Sequence, residues 1–569
     1  MKSSSSDDPA VASQERRGSI FARMFSSIPI WLAIGTLVAL VSLWLTRLDL
    51  SPDGMVYLDM ARGAIRLGPG HLLNACWGAI LPALIALVLT VVRPSSLEAT
   101  LIAVHLLNAS LLIAALATFL VFVDRYALPQ CEDRPRRALF LSLCAVFFLW
   151  AVTENTYGVK SIDPDLCVFI LVVAVASLVV RLHGRSQSSW LVHIAIGIAL
   201  GVGYYIRQAM LPIGGLLLVI LFAFPPRVPR ARARVAVSSL VFLLIVAPFV
   251  VWLSGKAGHF TVSENGRLNY LWHVENIPMA PYDAASYDAY LRAGPLQPPR
   301  VIVDHPVVFV FGNAAEGTYP WIYDPARWFE GVRPQFHLRE QTQCIVDNLR
   351  GSAVFFLSFR AVWLGLLALL LVPSGARRAT VTMPGRINLV LWCAGTCIGL
   401  HVVHVESRYL LPLVCILLTI GCSAVAHKME LSALCVIVLT IIGTLAVPSA
   451  ADIMALKAEL LSQLSGQLPQ YVQIANELRG RGLEGGGSIA VAGFASDAFY
   501  AKALNVRVAA QIPDAQAFWR MSDADMRRVR EALLHSGVTF IVAPAKPPGV
   551  SPSWASGPEG KPYSVISLK

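Results

Sequence analysis

The chain alternates long apolar runs with short, basic connectors. Runs long enough to cross a bilayer, which takes roughly 17 to 25 residues of helix, lie near 29–46, 99–123, 138–153, 165–182, 190–206, 208–224, 235–253, 353–372, 387–404, 409–426 and 431–449. The pattern predicts a mainly α, polytopic transmembrane protein of about eleven spans. One further run, Gly78 to Val92, is about fifteen residues long and carries Pro82, which suits an interfacial or re-entrant helix better than a span. The run from Ile28 to Leu45 has no small-residue cleavage site before Thr46 and reads as an uncleaved first span.

The polar positions orient these runs. With the N-terminus cytoplasmic and Gly78 to Val92 not crossing, the basic clusters at Arg125 to Arg137, Arg181 to Arg185, Arg227 to Arg234 and Arg377 to Arg386 all fall inside, as membrane orientation requires. Three regions are then external: 47–98, 254–352 and a tail from about 450 to 569. The expected organisation is a disordered cytoplasmic segment 1–28, a transmembrane module 29–450, and an external α/β domain 451–569. In the tail, the QYVQIANELRGRGL stretch reads as a helix, SIAVAG as a strand, Asp497 to Leu504 and Asp523 to His535 as helices, and TFIVAP and YSVISL as strands. No GxGxxG follows its first strand and there is no P-loop, so nucleotide binding is unsupported.

Composition narrows the class. At 56% hydrophobic and 14% charged residues, the chain is not a soluble globule. Its net charge of +11 sits in connectors between apolar runs, where orientation explains it and nucleic-acid binding does not. The ten cysteines include no CxxC pair and read as small core residues. Cys76 and Cys344 both fall in external loops, where an unpaired state is expected over a disulfide.

The candidate chemistry clusters on the external side. After the first span, LDLSPDGMVYLDMARGAIRLGPG places Asp53, Tyr57 and Asp59 there, with Asp53 and Tyr57 on one face of a short amphipathic helix from Gly54 to Ile65. An Asp before a helix also serves as a cap. Asp163 and Asp165 stand at the mouth of another span, where Asp163-Pro164 is equally a good helix entry. Arg207 separates two apolar runs, either as an interfacial arginine or near a lipid phosphate. In HVVHVESRYLLP, His404, Glu406, Arg408, Tyr409 and Pro412 gather at a helix junction, with a surface Glu406–Arg408 pair as the plainer reading. Arg360 is a further phosphate-ligand candidate that snorkelling also explains. The loop 254–352 is rich in aromatics, in NYLWHVENIP and GTYPWIYDPARWFEG, which serve either to stack on sugars or to anchor at the interface. His273, Glu275, Asp304 and His305 match no standard metal spacing.

The first-loop Asp53, four residues before Tyr57 and followed by Ala61-Arg62, together with Glu406, Arg408, Tyr409 and Pro412, resembles the GT-C superfamily of membrane glycosyltransferases. The likeness covers roughly residues 30 to 450 and points to the bacterial branch similar to protein mannosyltransferases and lipid A aminoarabinose transferases. It implies a sugar moved from a polyprenyl-phosphate donor to a glycan, lipid or protein acceptor hydroxyl or amine on the external face of a bacterial plasma membrane, with inversion. Asp53 would be catalytic, as base or as holder of a divalent cation such as Mg or Mn, with Asp163 as a second catalytic acid. Tyr57, Asp165, Arg207, Glu406, Arg408 and Tyr409 would bind substrate. Mannosyltransferase relatives often carry Glu directly after the first-loop Asp, where this chain has Gly54. The alternative is a transporter or flippase of lipid-linked sugars, which tends to show internal repeats and midplane polar groups.

Overall fold

The computed structural model describes residues 25–127, 134–154, 159–183, 189–312, 315–358, 385–425, scattered positions from 431 to 461, 464–483, 485–547, 554 and 562–569. Helix α1 (Ile28–Thr46) is followed by α2 (Pro52–Leu67), α3 (Ile80–Val92), α4 (Leu97–Phe122), α5 (Arg134–Glu154), α6 (Asp165–His183), α7 (Trp190–Ile206), α8 (Met210–Ala223) and α9 (Ala231–Ala257). Helices α10 (Glu264–His273) and α11 (Ala284–Arg292) lie inside the 254–352 region, α12 (Leu338–Ser358) begins within it, and α13 (Arg386–Val403) and α14 (Ser407–Val425) follow. Six of the described helices are long and apolar enough to cross a membrane, and α7, α8 and α14 are shorter apolar helices at expected spans. The expected span 353–372 is described only to Ser358, and 431–449 only at isolated residues. Helix α12 begins fifteen residues before that span was expected to, because its polar first half is bound to α13: Gln341 Nε2 donates to Val402 O at 2.6 Å and Asn348 Nδ2 to His401 O at 3.0 Å.

The bundle packs α1 on α4, α4 on α6, and α7 on α9. A side chain at Gly197 or Gly201 would meet Ser238 O at 2.5 Å or Ile245 Cβ at 2.7 Å, so α7 and α9 approach through glycine. Leu240, Leu244 and Val251 of α9 are left exposed, as a lipid-facing surface requires. Helix α3 is not among the described helices long and apolar enough to cross. Its thirteen residues span about 20 Å against the roughly 30 Å of a hydrocarbon core. Its start is pinned to the end of α7 by Ala79 N donating to Tyr205 O at 2.7 Å, and beyond its end Arg93 shares a cavity with Thr100 in the first turn of α4. With α4 to α7 crossing in turn, both places lie on one face.

On that face sits a six-stranded mixed sheet, ordered β1-β2-β4-β3-β5-β6, with β1 (Arg300–Asp304), β2 (Val307–Val310), β3 (Ser488–Ala492), β4 (Arg507–Ile512), β5 (Phe540–Pro544) and β6 (Tyr563–Ser567). Strand β3 runs parallel to β4 and β5, and β2 pairs antiparallel with β4 through Phe309 with Gln511 and Val310 with Ala510. The three tail strands read from sequence form as expected, as do α15 (Gln470–Gly480), α16 (Phe499–Leu504) and α17 (Asp523–His535), the last capped by Ser522. Strand β4 and the β1–β2 hairpin were not foreseen. Trp321 and Trp328 neither stack on sugars nor anchor at an interface. They are buried, stacked on each other at 5.8 Å, in an aromatic core with Tyr290 and Phe329.

Candidate active site

Five segments meet at the mouth of the bundle. The first is the opening turn of α2, which Ser51 caps by accepting from Gly54 N at 3.0 Å, with Pro52 in the first turn. Asp53 is therefore not the cap. It is half-buried, makes no side-chain hydrogen bond among the described residues, and lies within reach of the charges of Arg408, Arg207, Asp165 and Glu406. Burial raises its proton affinity above the ordinary carboxylate range, against the pull of the two arginines. Tyr57, one turn on, is buried against Trp77, ring centroids 5.6 Å apart, within reach of the charges of Arg207, Asp53, Asp165 and Asp163.

The second segment, Val159–Asp165, is held by two polar residues of α4 that sequence reasoning missed. His105 Nδ1 lies 2.6 Å from Val159 O and its Nε2 is 2.9 Å from Asp49 O; Asn108 Nδ2 donates to Ser161 O at 2.8 Å. Two polar groups three residues apart in an apolar run were the signal available. Asp163 does cap α6, its Oδ1 accepting from Asp165 N at 3.0 Å, but its other oxygen faces the guanidinium of Arg408 at 4.0 Å. Burial, then the neighbouring Asp165 carboxylate, raise the proton affinity of Asp163. Gly54 lets this segment and α2 come together: a side chain there would lie 2.9 Å from Ile162 Cβ and 3.0 Å from Ser51 Oγ.

The third segment is the break between α7 and α8. Arg207 leaves the helix in extended conformation, its Nη2 3.3 Å from Asp165 Oδ1 and its guanidinium carbon 4.6 Å from the centre of the Tyr409 ring. The backbone here is buttressed by Gly78, where a side chain would strike Ile206 O at 2.0 Å. The fourth is the break between α13 and α14. Glu406 gathers His404 Nε2 at 2.9 Å, Arg408 Nη2 at 3.0 Å and Tyr409 OH at 3.3 Å on one oxygen. Burial opposes its charge, but the His404 hydrogen bond and Arg408 hold its carboxyl down at about 2. Arg408 Nε also lies 3.4 Å from Asp165 Oδ2, so this arginine is shared among three carboxylates. The fifth is α10, whose His273 stacks on His404 with centroids 3.7 Å apart.

All eight expected site residues are thus in one neighbourhood. Arg360 lies outside the described residues. The others considered serve elsewhere: Glu275 accepts from Gln335 N at 2.6 Å, while Asp304 and His305 line a groove beside α17. Cys76 and Cys344 are free, buried thiols. Among the described residues no three His, Cys, Asp or Glu side chains are placed to hold a metal. Asp163 and Asp165 direct their oxygens to Arg408, Arg207 and a backbone N–H.

Asp59, on the same helix as Asp53, has a different setting. Its carboxylate accepts from Thr318 N at 2.7 Å and Thr318 Oγ1 at 3.0 Å, and pairs with the buried Lys502 of α16. Tyr471 OH of α15 donates to Leu48 O at 2.7 Å. The tail is therefore latched to the segment that carries Asp53.

No family model and no curated protein matches this chain. Among solved structures it is similar to the Archaeoglobus fulgidus oligosaccharyltransferase complexed with Zn and sulfate (TM-score 0.44, 12% identity, 90% of this chain and 67% of that one). It is also similar to that archaeon's AglB with an inhibitory peptide and a dolichol-phosphate (0.42, 12%, 90% and 69%). ArnT from Cupriavidus metallidurans bound to undecaprenyl phosphate gives 0.44, at 14% identity over 95% of this chain and 98% of that one. Likenesses this distant assign no site, so the roles below rest on this chain's own geometry.

Proposed function

We propose that the protein is a glycosyltransferase that moves a sugar from a polyprenyl-phosphate-linked donor to an acceptor hydroxyl or amine on the external face of a bacterial plasma membrane, with inversion. The observation that carries this reading is the pairing of an unspent, half-buried carboxylate, Asp53, with two guanidinium groups at the mouth of a membrane bundle. Asp53 takes the proton of the acceptor as it attacks the anomeric carbon, and its raised proton affinity suits a general base. Arg408, assisted by Arg207, receives the phosphate as it leaves with growing negative charge, a task for a planar group that stays ionised.

An incoming phosphate competes with carboxylates for Arg408. Asp163 is the one that yields, because its raised proton affinity lets it become neutral. The charged groups line the mouth rather than the middle of the bundle, which favours transfer at the surface over carriage across it. The test is transfer of radiolabelled sugar from a polyprenyl-phosphate donor pool to membrane acceptors by purified wild type and Asp53→Asn. Loss of product with the variant folded is the expected result. Equal transfer by the two removes Asp53 from the chemistry.

A further inference from the structure

At the far end of α2 a second concentration of positive charge surrounds a cavity of about 310 Å³, lined by Arg62, Arg66, Arg93, Thr100 and Asn505. Arg62 lies nine residues beyond Asp53, about 14 Å along a helix, so this is not the mouth. Arg62 and Arg66 are one turn apart, a spacing at which like charges repel. Arg93 ends α3 with φ of 49°, a left-handed conformation in which glycine or asparagine is at home. Lys502 adds a fourth cation within reach of Arg62 and Arg66.

The counter-charge is short. Asp59 is the carboxylate that answers Arg62, and its oxygens are already committed to Lys502 and Thr318. Among the described residues neither Arg66 nor Arg93 has an ion-pair partner. Four cations around one occupied carboxylate are tolerable if an anion completes the set. The cavity's rim indicates where that anion comes from: Leu67, beside Arg66, is 72% exposed, and Val91 and Val92, beside Arg93, are 75% and 54% exposed. Arginines next to apolar side chains left bare are the arrangement of a membrane interface, where the chain's own α3 lies.

We infer that this cavity holds the phosphate of an anionic phospholipid headgroup, gripped by Arg62, Arg66 and Arg93 at the membrane surface. The recognised chemistry is a phosphate group, which a lipid or free phosphate can present, and two arms separate these sources. In the first, full-length protein is reconstituted in nanodiscs of phosphatidylcholine with phosphatidylglycerol, and the lipids retained on extraction are counted by native mass spectrometry. Wild type is expected to retain phosphatidylglycerol over phosphatidylcholine, and Arg66→Gln/Arg93→Gln to lose this preference roughly tenfold or more, as two charge-assisted contacts are removed. Arg93→Lys, which keeps the charge, is expected to keep most of it. In the second, inorganic phosphate is titrated into lipid-free micelles while the melting temperature is followed. No shift at millimolar phosphate is expected.

Equal retention of the two lipids by wild type, or unchanged retention by the double variant, overturns the site. A shift with inorganic phosphate that the double variant loses overturns the lipid source. Both substituted arginines are exposed, and an unchanged elution volume for the double variant excludes misfolding. Lipid retention is read with no sugar donor present, so its outcome is independent of the transferase reading.

Discussion

Two aspartates on one helix show how the same side chain is either committed to structure or left open. Asp59 has its oxygens filled by Thr318 and Lys502, whereas Asp53 faces two arginines without a hydrogen bond among the described residues. A buried polar group that is fully partnered stabilises and specifies; one that is left open, at a concave surface, is available to a substrate. The difference does not come from α2 itself. It comes from what the rest of the chain brings to each face: a backbone loop and a tail lysine at one, three helix breaks at the other.

Substitution at the two positions should separate along that line. Asp53→Asn is expected to lower sugar transfer roughly 10²- to 10⁴-fold, the range for removing a general base, with the melting temperature close to wild type; the check is initial rate beside a thermal unfolding curve. Lys502→Met should do the opposite. It takes from half-buried Asp59 its closest cation and leaves it the Thr318 hydrogen bonds and the more distant Arg62, a loss of about 1 to 3 kcal/mol of stability, while transfer per folded molecule stays near wild type. Adding Asp59→Asn to it should recover part of the loss, which a double-mutant cycle measures.

Much of this comparison was legible in the sequence, and the illegible part has a common cause. Asp163 and Arg207 were found because each stands at the end of an apolar run, a local signal, and Asp53 and Arg408 because their spacing resembles that of a known superfamily. Lys502 was not, because a lysine in a polar tail looks solvent-facing, and its burial depends on a partner 443 residues away. Strand β4 is rich in alanine and lacks the β-branched alternation of a strand, and it is completed by Val310 from a loop two hundred positions earlier. The same loop's tryptophans were misjudged because exposure cannot be read from an aromatic-rich stretch alone. His105 and Asn108 hold the segment before Asp163 through the carbonyls of Val159 and Ser161; two polar groups in an apolar run mark such a place but do not say what they hold.

Smaller perturbations sharpen the reading of the mouth. Gly54→Ala should cost about 1 to 3 kcal/mol by overpacking against Ile162 and lower transfer more than that loss of folded protein explains, since Asp53 shifts relative to Arg408; activity normalised to folded fraction tests this. The pH profile gives the smallest effect. Asp53 must be ionised to act, so transfer should fall on the acid side, at a pH above the ordinary carboxylate range because its proton affinity is raised. Asp163, raised as well, must be neutral to release Arg408, so transfer should fall again on the alkaline side. Asp163→Asn is expected to flatten the alkaline limb of kcat/KM and leave the acid limb in place. If both limbs survive, Asp163 is not the group that yields.

The latch between Asp59 and Lys502 also sets an order of events in biogenesis. The segment that carries Asp59 leaves the ribosome 443 residues ahead of the lysine that fixes it, a delay of roughly 20 to 90 s at 5 to 20 residues per second. During that interval most of the bundle is inserted while α2 waits for its partner. A nascent chain interrupted before α16 would therefore hold its membrane helices and yet present the Asp53 segment unlatched. Protease sensitivity of the Asp53 segment would report, in a living cell, whether translation had reached the tail.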